Sequence, residues 1–156
     1  MASVRHHVQI AAPAADVWRV VGRPELLHLW FPGITSCTVA EQDGALTRTI
    51  VTGNGVAMPE QIVTNDALLR RFQYRITAPL FRNHLATIDV LDITGDDEQA
   101  DTSVVVYSTD AEPAVMALVI GGGTLGALRE LQRQFTAGSG PALDAAQAVQ
   151  EAAAHG

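Results

Sequence analysis

The chain contains no lysine, and acidic residues outnumber basic ones. All ten basic residues are arginine, and the formal net charge is -7. Without lysine, neither a Schiff-base mechanism nor a catalytic lysine is available. The arginines are scattered, whereas phosphate binding needs a concentrated basic surface, so we expect no nucleic-acid partner.

Cysteine is almost absent too, and the motifs of common cofactor sites are missing. The single Cys37 excludes an internal disulfide and a cysteine-rich zinc site. The neighbouring His6 and His7 point to opposite faces of a strand and make no metal pair. No phosphate loop, Gly-x-Ser-x-Gly elbow or His-Glu-x-x-His pattern occurs. We therefore expect no metal site and no cofactor.

Long apolar runs are also lacking, although 47% of the residues are hydrophobic. The longest run, Val115 to Ile120, is too short to span a bilayer and ends in glycines. The amino terminus lacks the apolar core of a signal peptide. These features favour a cytoplasmic globular protein without membrane insertion. We expect one domain over residues 1–136, followed by an alanine-rich tail over 137–156 that is flexible or a frayed helix.

The order of predicted elements favours an α+β fold. One strand is followed by two short helices, six strands and a long helix, with turn signals such as Asp43-Gly44 between the strands. An acidic loop is expected from Gly95 to Asp101. The only element long enough to cover a bent antiparallel sheet is the final helix, Pro113 to Phe135. This predicts a strongly curved seven-stranded sheet wrapped around that helix.

Three consecutive glycines, Gly121 to Gly123, interrupt the final helix. Each costs about 1 kcal/mol relative to alanine inside a helix. One explanation is that they leave space for a cavity between helix and sheet. The alternatives are that they break the segment into two helices or permit close packing.

Four segments resemble the START-like superfamily, and its bacterial polyketide cyclase/dehydrase-like branch in particular. Ile10 to Trp18 resembles the family's apolar-x-Ala-Pro strand end and the following Val-Trp helix. Leu29 to Cys37 resembles its passage into the second strand. Pro59 to Asp66 and Pro79 to His84 resemble a glutamate-bearing strand and the loop before an Arg-Asn-Tyr strand. The match covers about residues 4–136, and the resemblance implies a helix-grip fold.

The resemblance also implies a cavity between the sheet and the last helix. The two candidate catalytic residues are Glu60 and His84. The candidate ligand contacts are Trp30, Thr35, Tyr74, Ile76, Leu80, Phe81, Ala86, Val106, Met116, Val119, Gly123 and Ala127. Plant abscisic-acid receptors, which are distantly similar, carry a lysine where Thr35 stands, which argues against a hormone-receptor role of that kind.

Glu60 and His84 are the residues with the chemistry for acid/base work. Burial would raise the pKa of a carboxyl group, and an imidazole can relay a proton near neutral pH. The alternatives are a glutamate solvated within a wet cavity and a histidine satisfied by structural hydrogen bonds. Trp30 either caps the entrance or staples the short helices to the sheet.

These features together predict a protein that binds a small hydrophobic metabolite, polyketide-like, aromatic or isoprenoid. Catalysis of its cyclisation, aldol condensation or dehydration is one option, and a non-catalytic carrier or sensor is the alternative. A third option is a protein-interaction module that uses the Pro79 and Met58-Pro59 loops. The oligomeric state stays open, with a homodimer among the alternatives.

Overall fold

The computed structural model describes residues 1–93 and 101–156. Most of the acidic loop expected from Gly95 to Asp101 lies outside the described residues. The strands are β1 (Ala2–Ile10), β2 (Ile34–Gln42), β3 (Ala45–Thr52), β4 (Ala57–Asp66), β5 (Arg71–Ile76), β6 (Asn83–Asp92) and β7 (Ser103–Glu112). The helices are α1 (Ala14–Val21), a short 3-10 helix (Pro24–Leu29), α2 (Ala114–Ala137) and α3 (Pro141–Ala154).

The seven strands form one antiparallel sheet in the order β1-β7-β6-β5-β4-β3-β2. Strands β2 to β7 follow one another as sequential antiparallel neighbours. Strand β1, which precedes the two short helices in the chain, pairs with β7 at the other edge. The turn between β2 and β3 has positive φ at Asp43 (51°) and Gly44 (76°), as an Asp-Gly hairpin requires. The predicted fold class is confirmed, and the sheet is open at β1 and β2.

Alternation of side chains along the strands gives the sheet one buried face. On β7, Val105, Tyr107 and Thr109 are buried, while the residues between them are only partly covered. Helix α2 packs on β1 and β7 across this face, as a helix-grip fold requires. The space left between α2 and the strands far from β1 is where a cavity can form.

Helix α2 is continuous, so the glycines do not break it into two helices. An added Cβ at Gly121 would lie 2.7 Å from Cγ1 of Val4 on β1, whereas at Gly122 nothing lies within 4 Å. At Gly123 an added Cβ would lie 3.1 Å from two ring atoms of Phe31. Gly121 therefore permits close packing on β1, and Gly123 faces the interior beside Phe31.

By length and composition α2 could span a membrane, and among the described residues it is the one helix of this kind. Its buried residues pack on the sheet, among them Ala117, Gly121, Ala127 and Leu128. The helix therefore serves as the core helix of this fold.

The C-terminal stretch contains helix α3, whose first turns are packed against the rest of the protein. Gln134, fully buried on α2, organises this region. Its Nε2 donates to the carbonyl of Leu29 (2.9 Å), and its Oε1 accepts from the backbone N–H of Ala142 (3.0 Å). Ala142 and Ala146 are buried, so the first turns of α3 are held against the body of the protein.

The β4–β5 turn spans residues 67–70 and is held by Asp66. Asp66 still belongs to β4, and its Oδ1 accepts hydrogen bonds from the backbone N–H groups of Leu68 and Leu69, both at 2.9 Å. Arg70 has a positive φ of 49° and closes the turn. Aspartate side chains commonly bond backbone groups two or three residues ahead in this way.

The glycine environments generate a stability prediction. Gly121→Ala should lower the free energy of unfolding by about 1–2 kcal/mol, because overpacking against Val4 outweighs the better helix propensity. Gly122→Ala, on the exposed side, should raise it by about 0.5–1 kcal/mol. Urea unfolding of both variants measures the difference. Equal effects at the two positions would contradict the packing assigned to Gly121.

Candidate functional site

A cavity of about 240 Å³ lies between the sheet and the amino-terminal half of α2. Its sheet wall includes Ile50, Met58, Glu60, Tyr74 and Ile76. Its helix wall consists of Met116, Val119, Ile120 and Gly123. The side chains of the wall are therefore apolar apart from those of Glu60, Tyr74 and Thr52.

The mouth of the cavity lies where three segments meet. Residues 31–34 follow the 3-10 helix, and Leu80 and Phe81 belong to the connection between β5 and β6. Leu80 is 61% exposed and Val119 of α2 is 63% exposed, so large apolar side chains surround the opening. Apolar residues at the rim of an apolar cavity are typical of a binding site for a small molecule.

A larger groove of about 540 Å³ lies between α1 and α3. Its walls carry charged side chains, including Asp16, Arg19 and Glu151, alongside apolar ones. We place the candidate site in the smaller cavity because its apolar wall and its position between sheet and helix suit a ligand that would be largely enclosed.

Glu60 lies in the cavity wall as part of a buried ion pair. Arg48 of β3 stands directly opposite Glu60 of β4 in the strand register, and each residue is only 2% exposed. Arg48 Nε donates to Glu60 Oε2 at 2.6 Å. Arg48 Nη2 is also 2.6 Å from Oε2, though not at a hydrogen-bonding angle. Both nitrogens thus approach one carboxylate oxygen.

Two aromatic rings hold the Arg48 guanidinium in place. Its central carbon lies 4.7 Å from the ring centre of Tyr74 and 5.3 Å from that of Phe72. Cation–π contacts of this kind stabilise a desolvated arginine. Burial, the largest single effect, lowers the pKa of Arg48, but the charge of Glu60 together with smaller contributions from Tyr74, Tyr107 and Cys37 makes the net shift upward, so Arg48 stays charged.

The acid–base state of Glu60 follows from the same pair. Burial raises the pKa of Glu60 above its ordinary value, and the adjacent Arg48 charge and hydrogen bond oppose that rise. Arg48 does not line the cavity, whereas Glu60 does. The pair therefore presents its carboxylate side to a ligand and keeps its cationic side behind the wall.

Tyr74 and Tyr107 form a second buried polar pair. Their hydroxyl oxygens are 2.6 Å apart. Burial raises the pKa of Tyr107, and it raises that of Tyr74 well above its ordinary value, so both side chains stay protonated at neutral pH. Only Tyr74 reaches the cavity wall.

His84 lies outside the cavity wall, and its imidazole is already committed. Nδ1 accepts a hydrogen bond from the backbone N–H of Ile76 (3.0 Å), so Nε2 carries the proton and faces Thr109 Oγ1 at 3.1 Å. Burial lowers the pKa of His84 to about 4. Glu60 lines the cavity and His84 does not, so the structure does not bring the two candidate catalytic residues together there. His84 instead bonds to the backbone of β5 beyond the last β5–β6 pair, Tyr74 and Ala86.

The structure places seven of the candidate ligand contacts in the cavity wall: Tyr74, Ile76, Leu80, Phe81, Met116, Val119 and Gly123. Five others lie elsewhere: Trp30, Thr35, Ala86, Val106 and Ala127. The roles of all twelve residues as ligand contacts stay predictions, and these five fall into two groups by the way in which they lie outside the cavity wall.

Two of the five are on the wrong side of a strand. An irregularity between Ile34 and Ser36 turns Thr35 outward, where its hydroxyl donates to the carbonyl of Val51 (3.1 Å). On β7 the inward residues are Val105 and Tyr107, so Val106 points away from the core. A shift of one residue along a strand exchanges its two faces.

The other three are buried but lie outside the cavity wall. Ala86 stands opposite Tyr74, whose larger side chain forms the wall there. Ala127 lies one turn beyond Gly123 and is covered by the core. Trp30 packs in the interior with its ring centre 6.5 Å from that of Tyr107, and its Nε1 has no hydrogen-bond partner among the described residues.

Sequence reasoning missed Arg48 and Tyr107. A signal existed for Arg48, because residues 48, 50 and 52 share one face of β3, and Ile50 belongs inside. The run of valines at residues 104–106 gives no such signal for β7, since both faces are apolar there.

With this geometry in view, comparison with known proteins identifies the family. A model described as polyketide cyclase/dehydrase and lipid transport matches residues 1–141. The chain belongs to this family. No curated protein sequence matches it.

Solved structures with the same fold include proteins from several bacteria. The protein XoxI from Bacillus cereus has a TM-score of 0.77 and 24% identity, over 87% of this chain and 96% of that one. The Zhui aromatase/cyclase from Streptomyces sp. R1128 has a TM-score of 0.70 and 18% identity, over 86% and 93%. A START superfamily protein from Mycobacterium smegmatis has a TM-score of 0.67 and 16% identity, over 86% and 97%. At these identities the likeness establishes the START-like fold that the family model also implies.

Within the polyketide cyclase family fold, the His84 environment predicts a pH dependence of stability. In the unfolded chain the imidazole binds a proton below about pH 6.5, whereas the folded protein does not bind it until about pH 4. The unfolded state therefore holds more protons between these values, and stability is lost as the pH falls through this window, by up to about 1.4 kcal/mol per pH unit.

The variant His84→Asn tests this pH dependence, because its side-chain oxygen can replace Nδ1 as the acceptor for the Ile76 N–H. Urea unfolding between pH 4 and 7 should show a shallower loss of stability for the variant than for the wild type. Parallel curves would mean that His84 is not held neutral by the fold.

Proposed function

We propose that this protein binds a small, mostly apolar molecule in the cavity between the sheet and α2. The observation that carries the proposal is the wall itself: apolar side chains from β3, β4, β5 and α2 enclose about 240 Å³ and surround one carboxylate. Drug-sized ligands occupy pockets of roughly 300–1,000 Å³, so a ligand no larger than a few fused rings suits this one. An aromatic, isoprenoid or short polyketide-like metabolite has this size and character.

Binding without catalysis is the function that the side chains support best. The two groups expected to share acid/base work are separated, because His84 bonds to Ile76 and Thr109 and does not reach the cavity. The Glu60 carboxylate is paired with Arg48. A carrier or sensor needs only the enclosed apolar wall and a polar group to orient the ligand.

Catalysis of cyclisation, aldol condensation or dehydration is the second candidate, and Glu60 favours it. The buried carboxylate of Glu60, whose pKa is raised, could act as a base. The protonated Tyr74 in the same cavity wall could donate a hydrogen bond. The cavity shape would then hold the substrate in a reactive conformation. A molecule that copurifies with the protein and changes in mass or chromatographic retention on incubation would support catalysis, and an unchanged molecule would support binding alone.

Blocking the cavity from the helix side tests the proposal. Gly123 lines the cavity, and an added Cβ there would already lie 3.1 Å from the Phe31 ring. The larger side chain of Gly123→Leu must therefore extend into the cavity or displace that ring. We expect the affinity for the neutral fluorescent probe N-phenyl-1-naphthylamine to fall by about tenfold or more, a loss of at least ~1.4 kcal/mol.

The matched control is Gly122→Leu, one residue away on the same helix. Nothing lies within 4 Å of an added Cβ there, so the variant should bind the probe as the wild type does. Circular dichroism should show both variants folded. Full binding by folded Gly123→Leu would place the ligand site elsewhere.

A further inference from the structure

The charged groups in and behind the cavity wall indicate which ligands the cavity can bind. Among the residues that the structure describes, the cavity wall contains one charged residue, Glu60, and no arginine or histidine. The chain has no lysine, so within that described part no cationic side chain lines the cavity. The cation paired with Glu60 is Arg48, which is 2% exposed and lies behind Glu60.

Arg48 cannot readily turn toward the cavity to meet an anion. Its guanidinium lies against the rings of Tyr74 and Phe72, and its Nε donates to Glu60 Oε2. Burial raises the pKa of Glu60, but the protonated Arg48 opposes that rise, and its two nitrogens at 2.6 Å from Oε2 favour the ionised carboxylate. An ionised carboxylate is an acceptor only, so it rewards a ligand that brings an O–H or N–H donor.

We propose that Glu60 selects neutral or cationic apolar ligands that carry a hydrogen-bond donor, such as a phenol, an enol or an amine, and rejects carboxylates. Arg48 acts as the positioning residue, since it fixes the orientation and charge of the Glu60 side chain without touching the ligand. This inference rests on the proposed binding function and specifies the ligand class of the same cavity.

Without the charge of Glu60, the cavity should prefer anionic ligands. Removing the charge of Glu60 leaves the Arg48 guanidinium without its partner charge, directly behind the cavity wall. Such an unpaired buried cation attracts an anion, because it has lost its compensating charge. Ligand preference should then reverse, which a merely structural role for the pair would not cause.

Three probes of one shape test the proposal: naphthalene, 2-naphthol and 2-naphthoate, each measured by displacement of N-phenyl-1-naphthylamine at neutral pH. In the wild type we expect 2-naphthol to bind about tenfold to a hundredfold more tightly than naphthalene, the range for a hydrogen bond to a charged group. We expect 2-naphthoate to bind more weakly than either. Equal affinities for the two neutral probes would overturn the inference.

In Glu60→Gln the order should invert, with 2-naphthoate binding more tightly than 2-naphthol. An unchanged order in folded protein would show that Glu60 does not select the ligand. Because this variant leaves a buried arginine unpaired, Arg48→Met/Glu60→Leu provides a second test. Paired replacement by apolar residues is commonly tolerated. In the double variant 2-naphthol should lose its advantage over naphthalene, and a retained advantage would refute the assignment.

Failure of this inference is distinguishable from failure of the proposed function. If N-phenyl-1-naphthylamine binds the wild type and Gly122→Leu but not Gly123→Leu, the cavity is the binding site whatever the order of the three naphthalenes. If the probe binds the wild type and both variants equally, the binding site lies elsewhere. That result would contradict both the proposed function and the proposed ligand class.

Discussion

The buried pairing of Arg48 with Glu60 is the constraint on which the site depends. Two opposite charges on neighbouring strands sit on the face of the sheet that α2 covers, and neither reaches bulk water. Close contacts are needed to offset the free-energy cost of removing such a pair from water. Here the Arg48 guanidinium contacts the Glu60 carboxylate and the rings of Phe72 and Tyr74. Removing one partner should therefore cost about 3–5 kcal/mol, whereas replacing both should cost far less. A pair of this kind contributes little net stability, which is consistent with the ligand-selecting role that we propose for it.

The small residues of α2 allow the helix to pack closely against its neighbours. Gly121 lets the helix approach Val4 on β1, and Gly123 lets the ring of Phe31 approach the helix at the cavity wall. Close packing therefore accounts for both glycines, and the space-making role of Gly123 stays a prediction.

The fold could be predicted from the sequence because its signals are local and in order. Alternating strands, an Asp-Gly turn and one long apolar helix leave few arrangements, and the resemblance selected among them. The cavity contacts were harder, because a one-residue shift moves a side chain from one face of a strand to the other. The irregularity at Thr35 and the uninterrupted valines around Val106 are such places. His84 was hard to place for a different reason. Its side chain accepts a hydrogen bond from the backbone N–H of Ile76, and no sequence pattern indicates that contact. The ordering of the first turns of α3 likewise depends on a single side chain, Gln134, more than a hundred residues from one of its partners, Leu29.

The most direct test of the account is to observe a ligand from both walls of the cavity at once. Met58 lies in the sheet wall and Met116 in the helix wall, while Leu68 is 94% exposed on the turn between β4 and β5. With ¹³C-methyl labels on methionine and leucine, titration with 2-naphthol should shift the signals of both methionines with one shared dissociation constant and leave Leu68 unchanged. Unmoved signals from Met58 and Met116, at concentrations where the protein binds 2-naphthol, would show that the ligand does not enter the space between sheet and helix.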